Sequence, residues 1–238
     1  MMRLDKYLSN MGLGTRSEVK KDISKGIVKI NGSVITKSET KLDPHKDKVM
    51  HNEVPVSYSK NIYYMLNKPS GILSATKDHK SKTVIDLIAS KRKASLFPIG
   101  RLDKDTEGLL IITNDGILAH NLLSPVKHVD KKYKAKITGR LSCDDINSLE
   151  QGLNIGTKDT PEITMPSRIE ILEEYDDFSI IYLTIQEGKY HQVKRMIGAV
   201  GQTVIYLKRV SMGALHLDEK LAPGEYRELS PDEVDLLK

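Results

Sequence analysis

A carboxylate that attacks a substrate, or steadies charge on it, works best from a constrained loop anchored to a rigid strand, and residues 97–113, FPIGRLDKDTEGLLIIT, supply that combination. Pro98 and Gly100 make the approach turn-rich, so Asp103 projects from a loop and not from the face of a regular element. Arg101, Lys104, Asp105, Thr106 and Glu107 crowd around it. Gly108 then opens Leu109-Leu110-Ile111-Ile112, an apolar run suited to a buried strand. The plain alternative is an Asp103 that caps a turn or pairs with Arg101. An Arg-Leu-Asp triplet is no signature by itself, because the same residues recur at Arg3-Leu4-Asp5. That copy lies in the amphipathic pattern Leu4, Leu8, Met11 with no Gly or Pro before it, and reads as an ordinary helix start.

An ionised carboxylate in such a place needs a cation within a few Å. Residues 187–196, EGKYHQVKRM, turn into a helix whose apolar stripe is Val193, Met196, Ile197 and Val200. At about 100° per residue, Lys194 falls at the border of that stripe, where it can reach inward to a cleft. Arg195 falls on the other side and is expected to face water or RNA. Residues 131–137, KKYKAKI, alternate, with Tyr133, Ala135 and Ile137 on one face and lysines, Lys132 among them, on the other. A basic strand carrying one aromatic suits nucleic acid; it equally suits a half-exposed strand.

The elements around these stretches read as an α+β domain on a mixed, largely antiparallel sheet. Strands are predicted at 62–66, 72–75, 178–186 (apolar on both faces, hence central), 203–207 and 209–217, with helices at 83–90, 117–124 and 144–151. Residues 221–227 read as a loop before a short C-terminal helix. In front lie two short helices, 2–11 and 15–25, the second capped by Thr15 or Ser17 and ended by Gly26. A hairpin over 27–35 follows, turning at Asn31-Gly32. Arg16, Lys20 and Lys21, joined by Lys25, make this small unit basic and point to RNA, although Glu18 and Asp22 interleave as on a solvated charged face. Residues 50–60, with Pro55 and small polar residues, end the unit, giving two domains, 1–58 and 59–238.

Composition agrees with a polyanionic partner: 37 Lys+Arg against 32 Asp+Glu give a net charge of +5. The single cysteine, Cys143, excludes an internal disulfide and a Cys-rich zinc site and fits a reducing compartment. No run approaches the ~18 apolar residues of a membrane span, and the N-terminus has no apolar h-region. A soluble, monomeric, cytoplasmic protein is expected.

Taken together, YMLNKPSGILS at 64–74, GRLDKDTEGLLIITNDG at 100–116, KKYKAKI at 131–137, EGKYHQVKRM at 187–196 and LAPGEYREL at 221–229 resemble the RsuA-type pseudouridine synthases, in consistent order over nearly the whole chain. The first quarter resembles a small RNA-binding domain shared by a ribosomal protein and several RNA-modifying enzymes. The resemblance implies isomerisation of a uridine in ribosomal RNA to pseudouridine, without metal or organic cofactor. It implies Asp103 as the catalytic aspartate, Tyr133 as the tyrosine stacking on the target uracil, and Arg101 as the arginine filling the space of a flipped nucleotide. Lys194 falls where such families often carry arginine; it keeps the charge and gives up bidentate geometry. Lys68, Lys132, His191 and Arg195 join the basic helix as expected RNA contacts. The 187–196 and 221–229 segments look nearest to the small-subunit 16S enzyme, and the chain stops without a basic tail, so one uridine of 16S rRNA in an assembling small subunit is the expected substrate. Alternatives are the same chemistry on 23S rRNA or a non-catalytic assembly factor. Asp103-Lys104-Asp105-Thr106 also approaches the acidic signature of aspartate-based phosphatases, but that signature follows an apolar strand, and here the strand comes afterwards.

Overall fold

The computed structural model describes all of the chain except residues 57, 59, 60 and 91 and the side chain of Pro125. Strand β1 (Met2–Arg3) leads into helices α1 (Leu4–Asn10) and α2 (Arg16–Ser24). The first helix starts two residues later than its pattern predicts because residues 2–3 pair with β4 (Lys41–Leu42). Thr15 caps α2 in a capping box: its Oγ1 accepts the Glu18 N–H at 3.3 Å while Glu18 Oε2 accepts the Thr15 N–H at 2.7 Å. Asn31 (φ 51°) and Gly32 (φ 85°) both adopt the left-handed conformation that a two-residue hairpin loop requires. They join β2 (Val28–Ile30) to β3 (Ser33–Val34), and β5 (Val49–His51) and β6 (Val54–Val56) complete a sheet in the order β3-β2-β5-β6. Helix α2 turns Val19 and Ile23 into a small core with Leu4, Tyr7, Leu8 and Val28, which leaves Arg16, Lys20, Lys21 and Lys25 exposed. The expected domain boundary falls at 58/59, where residues 57, 59 and 60 lie outside the described residues.

The second unit is built on a nine-stranded sheet. Its strands are β7 (Tyr63–Lys68), β8 (Phe97–Pro98), β9 (Glu107–Thr113), β10 (Lys131–Thr138), β11 (Arg168–Glu174), β12 (Phe178–Ile185), β13 (Val204–Met212), β14 (Leu215–His216) and β15 (Tyr226–Glu228). The order is β11-β12-β10-β13-β9-β7-β15, with β14 on β13 and β8 on β9. Among the strand pairs of the described residues only β13–β9 is parallel, so the fold is the mixed, largely antiparallel α+β arrangement that the strand pattern predicts.

Helices α3 (Gly116–Leu123), α4 (Cys143–Gln151), α5 (Gln192–Ala199) and α6 (Pro231–Asp235) pack around the sheet. Strand β9 is apolar from Leu109 to Ile112 because that stretch is buried on both faces. Leu109 and Ile111 join one hydrophobic cluster with Met65, Leu118 and Met212, whereas Leu110 and Ile112 join another with Leu66, Ile137 and Met196. Gly108 makes the parallel junction: its φ is +100°, and a Cβ there would lie 2.2 Å from the Arg209 carbonyl oxygen.

Several local expectations differ from the structure. The two strands expected over 203–217 are one long β13 with a short β14, since Lys208 and Arg209 continue the ladder against β9. The expected loop at 221–227 ends in strand β15, which pairs Tyr226 with Leu66 at the sheet edge. Residues 72–75 make only an isolated bridge, Leu73 to Thr83, and 83–90 forms a single 3-10 turn, Val84–Leu87. Strand β12 lies one in from the edge, with Ser179, Ile181 and Leu183 buried and their neighbours Ile180 and Tyr182 half-exposed. Among the described residues no helix is long and apolar enough to cross a membrane.

Candidate active site

Asp103 sits on the loop between β8 and β9, and that loop is held largely through its own backbone. Ser74 Oγ donates to the Leu102 carbonyl at 2.8 Å, and the Leu102 N–H donates back to it at 3.1 Å. The Gly71 N–H donates to the Lys104 carbonyl at 2.8 Å, and the Thr106 N–H closes a turn onto the Asp103 carbonyl at 3.1 Å. Beneath the loop lies Lys68, fully buried, whose Nζ donates to the carbonyls of Pro69 (3.1 Å), Lys104 (3.1 Å) and Thr106 (2.8 Å). Burial pushes its ammonium down to about 8, against the pull of the carboxylates of Asp105, Glu107 and Asp103. The expectation that Lys68 contacts RNA is therefore corrected: it lies in the interior, where its ammonium donates to the carbonyl of Pro69 and to two carbonyls of the loop that follows Asp103.

The Asp103 carboxylate faces helix α5. Lys194 Nζ is 3.6 Å from its Oδ2 and His191 Nε2 is 3.5 Å from its Oδ1. The border lysine thus reaches the cleft, as helical spacing predicts, but its short contacts are to Asp105, at 2.6 and 2.8 Å. That hydrogen bond holds the Asp105 carboxyl below the usual aspartate range. Asp105 is a site residue that spacing alone does not reveal, since the loop turns it back beside Asp103. Tyr133 is buried in the cleft wall on β10, with Leu207, Ile185 and Thr106 around the same cavity. The cavity holds about 70 Å³, far below the ~300–1,000 Å³ of an enclosed ligand pocket, so anything larger than a base edge stays at an open surface.

Arg101 lies at this cleft, exposed, and makes no hydrogen bond or ion pair among the described residues. The alternative in which it pairs with Asp103 is not formed, nor does it brace the loop through its other acidic neighbours. Asp105 is taken by Lys194, and Glu107 accepts the Tyr206 hydroxyl at 2.8 Å.

Arg195 is a further correction. It does face away from the apolar stripe, but its guanidinium donates to the Ile155 carbonyl (3.1 and 2.7 Å) and the Tyr190 carbonyl (3.0 Å), and pairs with Glu162. It pins the 153–164 segment to α5 and has little left to offer RNA. Lys132 pairs with Glu170 at 3.1 Å and lies over the Tyr182 ring, on the face of β10 away from the cleft. The 187–196 motif also contains a polar knot at the start of α5 to which sequence reasoning assigns no role: Glu187 Oε1 accepts the Met165 N–H at 2.8 Å and a bond from Gln192 Nε2 at 2.7 Å, while Lys189 pairs with its other oxygen. Polar residues packed just ahead of an apolar stripe were the available signal.

The chain matches the family described as RNA pseudouridylate synthase over residues 62–199 and the S4 domain over residues 2–48. It is 50% identical to an uncharacterized RNA pseudouridine synthase of Bacillus subtilis, over 99% of this chain and 98% of the relative. It is 37% identical to the ribosomal large subunit pseudouridine synthase B of the same organism, over 100% and 96%. It is 35% identical to the ribosomal small subunit pseudouridine synthase A of Haemophilus influenzae, over 99% of each. A solved pseudouridylate synthase superposes with a TM-score of 0.69 at 34% identity, covering 100% of both chains. By the family match, by full-length relatives well above 30% identity and by a shared fold, the chain belongs to the RNA pseudouridylate synthase family and carries an S4 domain at its N-terminus.

Proposed function

We propose that the protein isomerises one uridine of 16S ribosomal RNA to pseudouridine, in an assembling small subunit, with Asp103 as the reacting carboxylate. The observation that carries the reading is the juxtaposition of that carboxylate with Lys194, His191 and the buried Tyr133 in one small open cleft. The reaction breaks the N1–C1′ bond and joins C1′ to C5, with no net oxidation and no group gained or lost. It therefore asks for a carboxylate that attacks the nucleotide or stabilises positive charge on it, and for a base held while it turns. The Lys194 ammonium faces the Asp103 carboxylate and shares its charge with Asp105. Tyr133 stacks on the uracil from the cleft wall. A uridine inside a helix is out of reach, so it must leave its stack, and Arg101, exposed and without a protein partner, is suited to the vacated space.

In this reading residues 1–58 bind RNA through Arg16, Lys20, Lys21 and Lys25, with Lys132 and His191 as further contacts, and residues 59–238 carry the chemistry. The protein works as a cytoplasmic monomer. A base not yet locked in mature tertiary contacts costs less to extract, which favours a precursor particle. Motif detail in residues 187–196 and 221–229 supports 16S rRNA as the target. A second reading, 23S rRNA, is favoured by the 37% identity to a large-subunit enzyme. Pseudouridine mapping of both rRNAs from a deletion strain, and after adding back purified protein, separates them: one uridine lost and restored in 16S is the expected result. A site restored only in 23S overturns the target, and no site in either overturns the activity.

A further inference from the structure

At 75% exposure Tyr190 is the most open tyrosine among the described residues. The other two exposed tyrosines have work inside the fold: Tyr175 stacks on Phe178 and donates to Glu173, and Tyr206 donates to Glu107. Tyr190 fills no core and its hydroxyl has no partner among the described residues. One face of its ring rests on the His191 ring, centroids 3.9 Å apart and planes 17° apart, and the other is open to solvent. His191 in turn places its Nε2 3.5 Å from the Asp103 carboxylate.

The ring is presented from a fixed backbone. His191 takes the left-handed conformation (φ 47°), which swings the two rings to the lip of the cleft, and Arg195 clamps the Tyr190 carbonyl from below. The Lys189 N–H donates to Gln192 Oε1 at 2.9 Å while the Gln192 side chain is tied to Glu187. An aromatic side chain on so braced a turn loses little freedom on binding. Held in water beside a centre that acts on RNA, it has the geometry of a base-stacking platform.

We propose that Tyr190, backed by His191, stacks on the unpaired nucleobase next to the target uridine and so fixes the strand while the target is drawn into the cleft. The target itself is excluded from this position, because its uracil must lie between Asp103 and Tyr133, and the free face of Tyr190 is on the far side of His191. The His191 ring meets the Asp103 carboxylate edge-on, Nε2 to Oδ1 3.5 Å, and carries the Tyr190 ring stacked on it at 3.9 Å, so the free face lies two side chains outward from the reacting carboxylate. A neighbouring base is thus within reach. Stacking accepts any base, so the platform selects for an unpaired neighbour and not for its identity.

This inference rests on the proposed RNA reaction, and its test is arranged so that the two fail separately. The probe is a short RNA centred on the uridine found by mapping, with 2-aminopurine at its 5′ or its 3′ neighbour. Binding should quench the fluorophore on one side with wild-type protein and with Tyr190→Phe, but not with Tyr190→Ala. In turnover, Tyr190→Ala should raise KM by about 5- to 150-fold with kcat nearly unchanged. Removing the neighbouring base should raise KM for wild-type protein and not further for the variant. Quenching unaffected by Tyr190→Ala, an unchanged KM, or equal losses in the Phe and Ala variants would overturn the platform. Wild-type protein that quenches the probe yet forms no pseudouridine would overturn the proposed reaction and leave the platform standing.

Discussion

The buried Lys68 gives a test of how the Asp103 loop is held. Its ammonium falls from 10.5 to about 8 on folding, an interval worth about 3 kcal/mol of charge burial. Below pH 8 both the folded and the unfolded chain hold the proton, and the whole cost is present. Between pH 8 and 10.5 the folded form releases its proton first, the unfolded chain binds more protons, and stability rises with pH. By pH 9.5 that gain should reach about 2 kcal/mol. Lys68→Met keeps most of the stem and removes the titrating group. At neutral pH the variant sheds the burial cost but takes this donor from the Pro69 and Thr106 carbonyls, at ~1–3 kcal/mol each, while the Lys104 carbonyl keeps the Gly71 N–H, so its offset from wild type has no fixed sign. The decisive quantity is the slope. Urea unfolding at pH 7 and 9.5 should show wild type gaining about 2 kcal/mol relative to the variant. Lys131, also lowered by burial, is present in both proteins and cancels. Tyr7 and Tyr63, raised by burial, set the upper limit of the window. Parallel pH dependence in the two proteins would refute a buried, charged Lys68. Turnover should fall in the variant even where stability does not, because the 104–106 stretch of the Asp103 loop loses its tie to Lys68.

Asp103→Asn is nearly isosteric but removes the charge and the attacking oxygen, so pseudouridine formation should fall by at least about 10³-fold while RNA binding in a filter assay persists; measurable turnover would refute the assignment. Lys194→Met should cripple turnover by leaving Asp103 and Asp105 facing each other uncompensated, whereas Lys194→Arg should retain most of it; equal losses in both would mean that the charge is not what matters. Gly108→Ala forces a Cβ to 2.2 Å from the Arg209 carbonyl at a φ of +100°, so thermal unfolding should show a loss of at least about 2 kcal/mol; a neutral result would mean that the β9–β13 junction is looser than it looks. Neutralising Arg16, Lys20 and Lys21 together should lower the log–log salt slope of RNA affinity by roughly 0.7 for each phosphate that is no longer neutralised; an unchanged slope removes α2 from the RNA interface.

What the sequence made legible follows a physical division between local and long-range information. The α2 cap, the Asn31-Gly32 hairpin, the buried run at 109–112 and the alternation of β10 are written in nearest-neighbour chemistry, and the fold honours each. The edge strand β15 was unreadable because Pro223 and Gly224 look like loop, and its ladder to β7 depends on a partner some 160 residues away in the chain (Tyr226 against Leu66). The join of 203–217 into one long β13 had the same origin: Lys208 and Arg209 look like a polar break until β9 pairs with them.

The site divides in the same way, and residues 194 and 195 show how. Helical periodicity fixes the direction in which each side chain leaves α5, and both directions are as expected: Lys194 goes to the cleft and Arg195 away from it. Direction does not determine the partner. A cation leaving the apolar face takes the nearest carboxylate or carbonyl that tertiary structure offers, and only the folded loops decide which that is. For Lys194 the nearest carboxylate is Asp105, at 2.6 Å, because the loop turns between residues 103 and 106 and sets both carboxylates before the same helix. For Arg195 it is Glu162, with the Ile155 carbonyl beside it, on a segment with no regular pattern of its own to read. Lys68 is the limiting case. Nothing in the Asn-Lys-Pro-Ser-Gly turn separates a lysine bound for RNA from one bound for the interior, since the carbonyls that draw it inward belong to residues 104 and 106, across the β7–β9 pair.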